Sequence, residues 1–215
     1  MGKLVLATIT ISGSAKWLLK VGGNKEKWYG SDRIFMYVMT VFGAMTVNYS
    51  EQCTEYGWVV SNLRLLAGCL LAGGLLSAAY MDRRNCWVYN YVWWWCLPWA
   101  GILGMTAGGE FSGIVAVLVF VMLQQLLFSR MYGKADCHAF SVCALAECGN
   151  AVGMVGFLLQ MFLSVVLLTI VQLFRGNVTP RGRLREPQPF IPYIITAFFS
   201  VMFLESVFRT TYIYA

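Results

Sequence analysis

Leu70-Leu71-Ala72-Gly73-Gly74-Leu75-Leu76-Ser77-Ala78-Ala79-Tyr80-Met81-Asp82-Arg83-Arg84 passes from an apolar run directly into an acid and two guanidinium groups. The run begins near residue 57, so its apolar part covers 57–80. That is close to the roughly 20 residues needed to cross a bilayer. An acid beside a hydrocarbon core is costly to ionise, and one placed there marks a site hypothesis. A second acid has the same setting: Asp136 closes Tyr132-Gly133-Lys134-Ala135-Asp136, just ahead of another apolar stretch.

Working outward, apolar runs recur at 34–49, 87–106, 112–129, 138–152, 154–174 and 190–211. The chain of 215 residues is 59% hydrophobic and 12% charged, with mean hydropathy +0.64. A soluble domain carries about 25% charged residues, so much of this surface faces something other than water. The pattern predicts an all-α, polytopic integral membrane helix bundle of six to seven spans, built as one membrane domain over 34–215. The fifth run is short and broken by Glu147, Gly149 and Asn150, which predicts a turn at Gly149-Asn150. Residues 1–33 read as a cytoplasmic or interfacial segment. Their first 12 residues are Thr-rich and β-branched, with no small-x-small cleavage site ahead of Lys16 and Lys20.

The basic residues cluster in short segments beside the spans, which argues for membrane topology and against a nucleic-acid partner. Lys3, Lys16, Lys20, Lys25, Lys27 and Arg33 precede the first span. Arg83 and Arg84 follow the second, Arg130 and Lys134 the fourth, and Arg175, Arg181, Arg183 and Arg185 the sixth. Only Arg64 and Arg209 fall elsewhere. The intervening loops carry Glu51, Glu55 and Glu110 without Lys or Arg. The positive-inside rule then places the amino terminus, Asp82 and Asp136 at the cytoplasmic face, and the carboxyl terminus outside.

Two carboxylates facing each other in a partly dry site cannot both ionise cheaply, so one keeps its proton. Such a pair suits amide hydrolysis. The ionised acid draws a proton from water while the protonated one polarises the scissile carbonyl, and no metal or cofactor is required. The plainer alternative is that each Asp caps a helix or pairs with Arg83, Arg84 or Lys134.

Asp82-Arg83-Arg84-Asn85-Cys86-Trp87-Val88-Tyr89-Asn90 and Gly133-Lys134-Ala135-Asp136-Cys137-His138-Ala139 together resemble the two motifs of the GxGD-type aspartic prepilin peptidases. In that family an early Asp precedes a basic stretch and an Ile-Pro-Asn-like turn, here Val88, Tyr89 and Asn90. The second motif, GxGDxKL, falls on 133–139, with Ala135 for the second Gly and His138 for the Lys. A Pro-Phe-x-Pro-like helix start matches Pro189-Phe190-Ile191-Pro192. The resemblance covers about 57–211. It implies Asp82 and Asp136 as the catalytic pair, and a prepilin-like membrane-inserted protein substrate cut on the cytoplasmic side of its hydrophobic helix. The setting would be a prokaryotic cell membrane. Gly133 and Ala135 are small enough to let an extended substrate approach the backbone. No CxxC pair occurs, so a peptidase without the N-methyltransferase activity of bifunctional members is expected. The competing class is a non-catalytic membrane protein, either an ion- or proton-coupled transporter or a pilus-assembly pseudoenzyme.

Other residues take plainer readings. His138 lies two positions from Asp136, which points the two apart on a helix and suggests a helix-start hydrogen bond. Cys137, His138, Cys143 and Cys148 scatter around a helix, so no zinc site is assigned. Trp87, Trp93, Trp94, Trp95 and Trp99 read as an interfacial, lipid-facing set. Arg64 and Glu205 lie within spans and are expected to pair, with Arg209 as Glu205's other candidate partner.

Overall fold

A computed structural model describes residues 2–23, 30–52, 57–108, 111–130, 133–148, 153–174 and 188–214. They form eight α-helices: α1 (Gly2–Val21), α2 (Gly30–Gln52), α3 (Trp58–Asn85), α4 (Asn90–Thr106), α5 (Phe111–Leu126), α6 (Lys134–Glu147), α7 (Gly153–Phe174) and α8 (Ile191–Tyr214). A single 3₁₀ turn, Phe128–Arg130, follows α5. The architecture is an all-helical bundle, with no strand among the described residues.

The bundle is organised around α3, which is buried almost without interruption from Arg64 to Asp82. Its glycines explain how one helix accepts so many neighbours. A Cβ on Gly68 would come 2.7 Å from Val47 Cγ1 of α2, and one on Gly73 would come 2.9 Å from the Ile11 carbonyl oxygen of α1. A Cβ on Gly74 would meet Cys96 Sγ at 2.5 Å and Trp95 at 3.0 Å, both on α4. Three positions without side chains thus receive three different helices. This is how small residues permit close helix packing where lipid supplies no hydrophobic drive between helices.

Contacts along the bundle fix the direction of each helix. Gly22 lies against Tyr91 and Met81, and the Tyr91 hydroxyl donates to the Leu18 carbonyl at 2.8 Å, so α1 runs parallel to α3. At the same end Asp32 meets Arg83, Gln125 meets Ser141, and Gln172 meets Gln188. At the opposite end Arg64 Nη1 donates to the Leu103 carbonyl and to Thr106 Oγ1, both at 3.0 Å, which ties α3 to α4. The helices therefore alternate up and down. The end that gathers Lys20, Arg83, Arg84 and Lys134 is hereafter the basic end.

Among the described residues, four helices are long and apolar enough to cross a membrane: Gly2–Val21, Trp58–Asn85, Met154–Phe174 and Ile191–Phe208. Exposed Leu66, Leu118, Leu158, Phe162 and Leu204 give the bundle an apolar exterior. α3, with 28 residues, is about 42 Å long. It is longer than the roughly 30 Å hydrocarbon core of a bilayer. α6, with 14 residues, is about 21 Å long and too short to cross.

The amino-terminal segment, read from the sequence as cytoplasmic or interfacial, has a helix of its own. Its Thr-rich run is helical, packs against α3 and α2, and buries Ala7, Ile11, Ser14, Ala15 and Leu18. Gly2 consequently lies at the end opposite Lys20, so Lys3 is separated from the other basic residues that precede α2. Thr8, Thr10 and Ser14 each return their hydroxyl to the carbonyl four residues back, which lets these β-branched and polar residues sit in an apolar helix. The expected turn at Gly149-Asn150, the basic loop through Arg181, Arg183 and Arg185, and the Arg209 side chain lie outside the described residues.

The glycine contacts yield a testable contrast. Gly73→Ala is expected to destabilise the bundle by about 1–3 kcal/mol through overpacking against α1. Gly101→Ala, in α4 with nothing within 4 Å of its Cβ position, should be neutral or stabilising. Thermal unfolding in detergent compares them.

Candidate functional site

The two acids stand at helix ends, and local sequence explains both placements. Asp82 sits one turn before the α3 C-terminus, where Cys86 takes a left-handed conformation (φ 51°) and its N–H returns to the Asp82 carbonyl at 2.8 Å. The chain then runs extended to Tyr89 (φ −73°, ψ 141°), after which α4 begins. That φ lies in the range proline imposes, so the backbone at the motif's Pro position keeps a proline-like shape without proline.

Asp82 reaches across to the start of α8. Its Oδ2 accepts the Ile191 backbone N–H at 3.0 Å. The first turn of a helix has N–H groups with no partner inside the helix. In α8, Pro192 has no N–H, and Tyr193 and Ile194 donate to the Phe190 carbonyl at 3.0 and 3.3 Å. The Ile191 N–H is left for Asp82, and the Phe190 N–H just ahead of the helix also turns toward this carboxyl group. A negative group there also faces the positive end of the helix dipole.

Asp136 occupies the third position of α6, with Gly133 as N-cap. Its carboxylate folds back to accept the Gly133 backbone N–H, the reach-back half of a capping box. A Cβ on Gly133 would lie 3.1 Å from Asp136 Oδ2. Gly133 has φ −62°, a value open to any residue, so its small size serves the acid beside it rather than the backbone conformation. Ala135 is half-buried and packs against the core.

α4 and α8 each pack on both α3 and α6 and hold the two acid-bearing helices at one level. Asp82 and Asp136 lie close enough for their charges to interact. Asp136 is raised from the ordinary 3.8 to about 7, first by burial and then by the negative charge of Asp82, against the lowering pull of the Gly133 N–H. Neither acid has an ion-pair partner among the described residues. The neighbouring cations are engaged elsewhere: Arg83 Nε lies 3.4 Å and Arg84 Nε 3.8 Å from the two oxygens of Asp32 on α2. The Arg83 guanidinium also stacks over Phe35, 5.0 Å from the ring centroid. The pairing of Asp82 with Arg83 or Arg84 weighed from sequence is thus replaced by one with Asp32. That residue was not singled out, although an acid amid Lys25, Lys27 and Arg33 at a helix start was its available signal.

His138 turns away from Asp136. Its Nδ1 lies 3.4 Å from Gln125 Nε2 of α5, and its ring sits 6.0 Å from that of Trp93. Gln125 also donates to Ser141 Oγ at 3.1 Å. The histidine therefore joins α5 to α6 instead of closing its own helix start. The tryptophans divide. Trp87 and Trp94 are exposed, Trp93 is buried, and Trp95 packs between Trp17 and Trp99, because successive residues of α4 face different neighbours. Cys69, Cys86, Cys96, Cys137, Cys143 and Cys148 are free thiols. No protein-family model, curated protein or solved structure matches the chain.

The state of Asp136 sets a pH dependence of stability. An acid whose pKa rises on folding favours the native state below its unfolded value, near 3.8, and that contribution is lost as pH climbs through about 7. Wild-type protein should therefore lose stability from about pH 4 to pH 7 relative to Asp136→Asn, whose amide oxygen keeps the Gly133 hydrogen bond without the charge. Denaturation midpoints across that range measure the difference.

Proposed function

We propose that this chain is a membrane aspartic endopeptidase of the prepilin-leader type. It would cleave pilin-like precursors at the cytoplasmic face of a prokaryotic membrane. The observation that carries the reading is that Asp82 and Asp136, on separate helices, lie close enough for their charges to interact in a partly dry setting at the basic end, with neither acid paired to a cation among the described residues. In this reading seven helices cross the bilayer, the four long apolar ones together with α2, α4 and α5, while α6 goes part way.

Chemically, one acid holds a proton at working pH and the other does not. The ionised partner takes a proton from a water lying between them, and the water oxygen attacks the scissile carbonyl. The protonated partner hydrogen-bonds the carbonyl oxygen as negative charge develops there. Collapse of the tetrahedral species returns a proton to the leaving nitrogen. Two interacting acids titrate as a unit, so the two apparent pKa values belong to the pair. The half-exposed approach past Gly133 and Ala135 supplies a place for an extended leader–helix junction.

One observation favours the non-catalytic reading: Asp82 caps α8, which a pseudoenzyme would also require. Asp82→Asn separates the two, because an amide oxygen still accepts the Ile191 N–H but cannot take a proton from water. Cleavage of a co-expressed type IV pilin-like precursor is expected with wild type and to be lost in Asp82→Asn and Asp136→Asn. Asp82→Asn should stay folded, whereas Asp82→Ala should lose about 0.5–2 kcal/mol with the cap. Cleavage surviving both Asn substitutions would sink the assignment. Activity should also fall above about pH 7 as the pair loses its last proton.

A further inference from the structure

The geometry points to a binding site for an anionic phospholipid headgroup in the groove between α1 and α2. A cavity of about 220 Å³ opens there, at the basic end of the bundle. Lys16 of α1 and Arg33 of α2 supply two positive charges to its lining, and Ser12, Tyr37 and Thr40 supply hydroxyl groups. Ala15 and Met36 complete the wall and are buried.

Charge is what selects the occupant. Neither Lys16 nor Arg33 has an ion-pair partner among the described residues, and no acid lines the cavity. Asp32, beside Arg33 in sequence, turns both carboxylate oxygens toward Arg83 and Arg84. Two cations without an ion-pair partner among the described residues, with hydroxyl groups nearby, match a phosphodiester. Basic groups at a membrane surface attract anionic lipid by about 1 kcal/mol each.

The walls favour a lipid over a free anion. Stepping along α1 from Ser12 by helical repeat brings Ile9 and Val5 to the same side, and stepping along α2 from Tyr37 brings Val41 and Met45. All four are exposed apolar side chains. They continue the groove from the cations toward the opposite end, where the acyl chains of a lipid held at its headgroup would lie. This site is separate from the acids of α3 and α6 and does not depend on the chain being a peptidase.

Native mass spectrometry of the full chain in detergent, titrated with phosphatidylglycerol or phosphatidylcholine, tests the site. Wild type is expected to retain phosphatidylglycerol preferentially. Lys16→Gln and Arg33→Gln should each weaken that binding about fivefold. Lys20→Gln removes an equal charge one turn further along α1 and should change it far less. Ser12→Phe fills the groove without altering charge and should also abolish the preference, with circular dichroism verifying the fold. Equal loss in Lys20→Gln and Lys16→Gln would replace the site by a diffuse basic field. Competition by inorganic phosphate at the lipid's own concentration would make it a soluble-anion site. Equal retention of both lipids would overturn the proposal.

Discussion

One backbone N–H, that of Ile191, organises the basic end of the molecule. Proline at the second position of α8 leaves that donor at the mouth of the helix, and Asp82 accepts it from the last turn of α3. The hydrogen bond joins the most buried helix of the bundle to one that follows it by more than 100 positions in the chain. It also holds the carboxyl group in one orientation and keeps it away from the adjacent guanidinium groups. Those groups have their own anchor in Asp32, so α2, α3 and α8 meet at a junction where charges are sorted into local pairs.

That sorting decides what Asp136 experiences. Were Arg83 or Arg84 turned toward the acids, their charge would lower both carboxyl groups into the ordinary range. With the guanidinium groups held by Asp32, burial raises Asp136 and the negative charge of Asp82 adds to the effect. Asp32 thus acts on the acid pair from a distance by withholding its natural counter-ions. The polar partners of the two acids include the backbone N–H groups of Phe190 and Ile191 for Asp82 and of Gly133 for Asp136. They stabilise a carboxylate without supplying a full charge, which leaves the pair free to share a proton.

The all-helical bundle was legible because apolar runs, charge clusters and turn residues all pointed to the same segments. The two acids stood out for the same reason, as charges at the ends of apolar runs. Three features were not legible, and each depends on a contact between distant segments. The cap on α8 requires knowing which helix end approaches Pro189-Phe190-Ile191-Pro192. The engagement of Arg83 and Arg84 by Asp32 requires the α2–α3 packing. The helical nature of residues 2–21 was hidden by Thr8, Thr10, Ser12 and Ser14, whose weak intrinsic preference for helix is offset by packing of the helix on α3, with Ile11 and Ser14 seated against Gly73. His138 shows the same limit: its spacing from Asp136 correctly separated the two, but its partner Gln125 lies on another helix.

The glycine that seats Ser14 against α3 also bears on how the chain enters a membrane. α1 is the least apolar of the four long helices, with mean hydropathy 1.3 against 2.5 for α7, and it contains Lys16. Its buried face is completed by Gly73, which is synthesised some 60 residues after Ser14. A bilayer that received α1 by itself would therefore hold it weakly, and the packing surface that offsets this weakness is carried by α3.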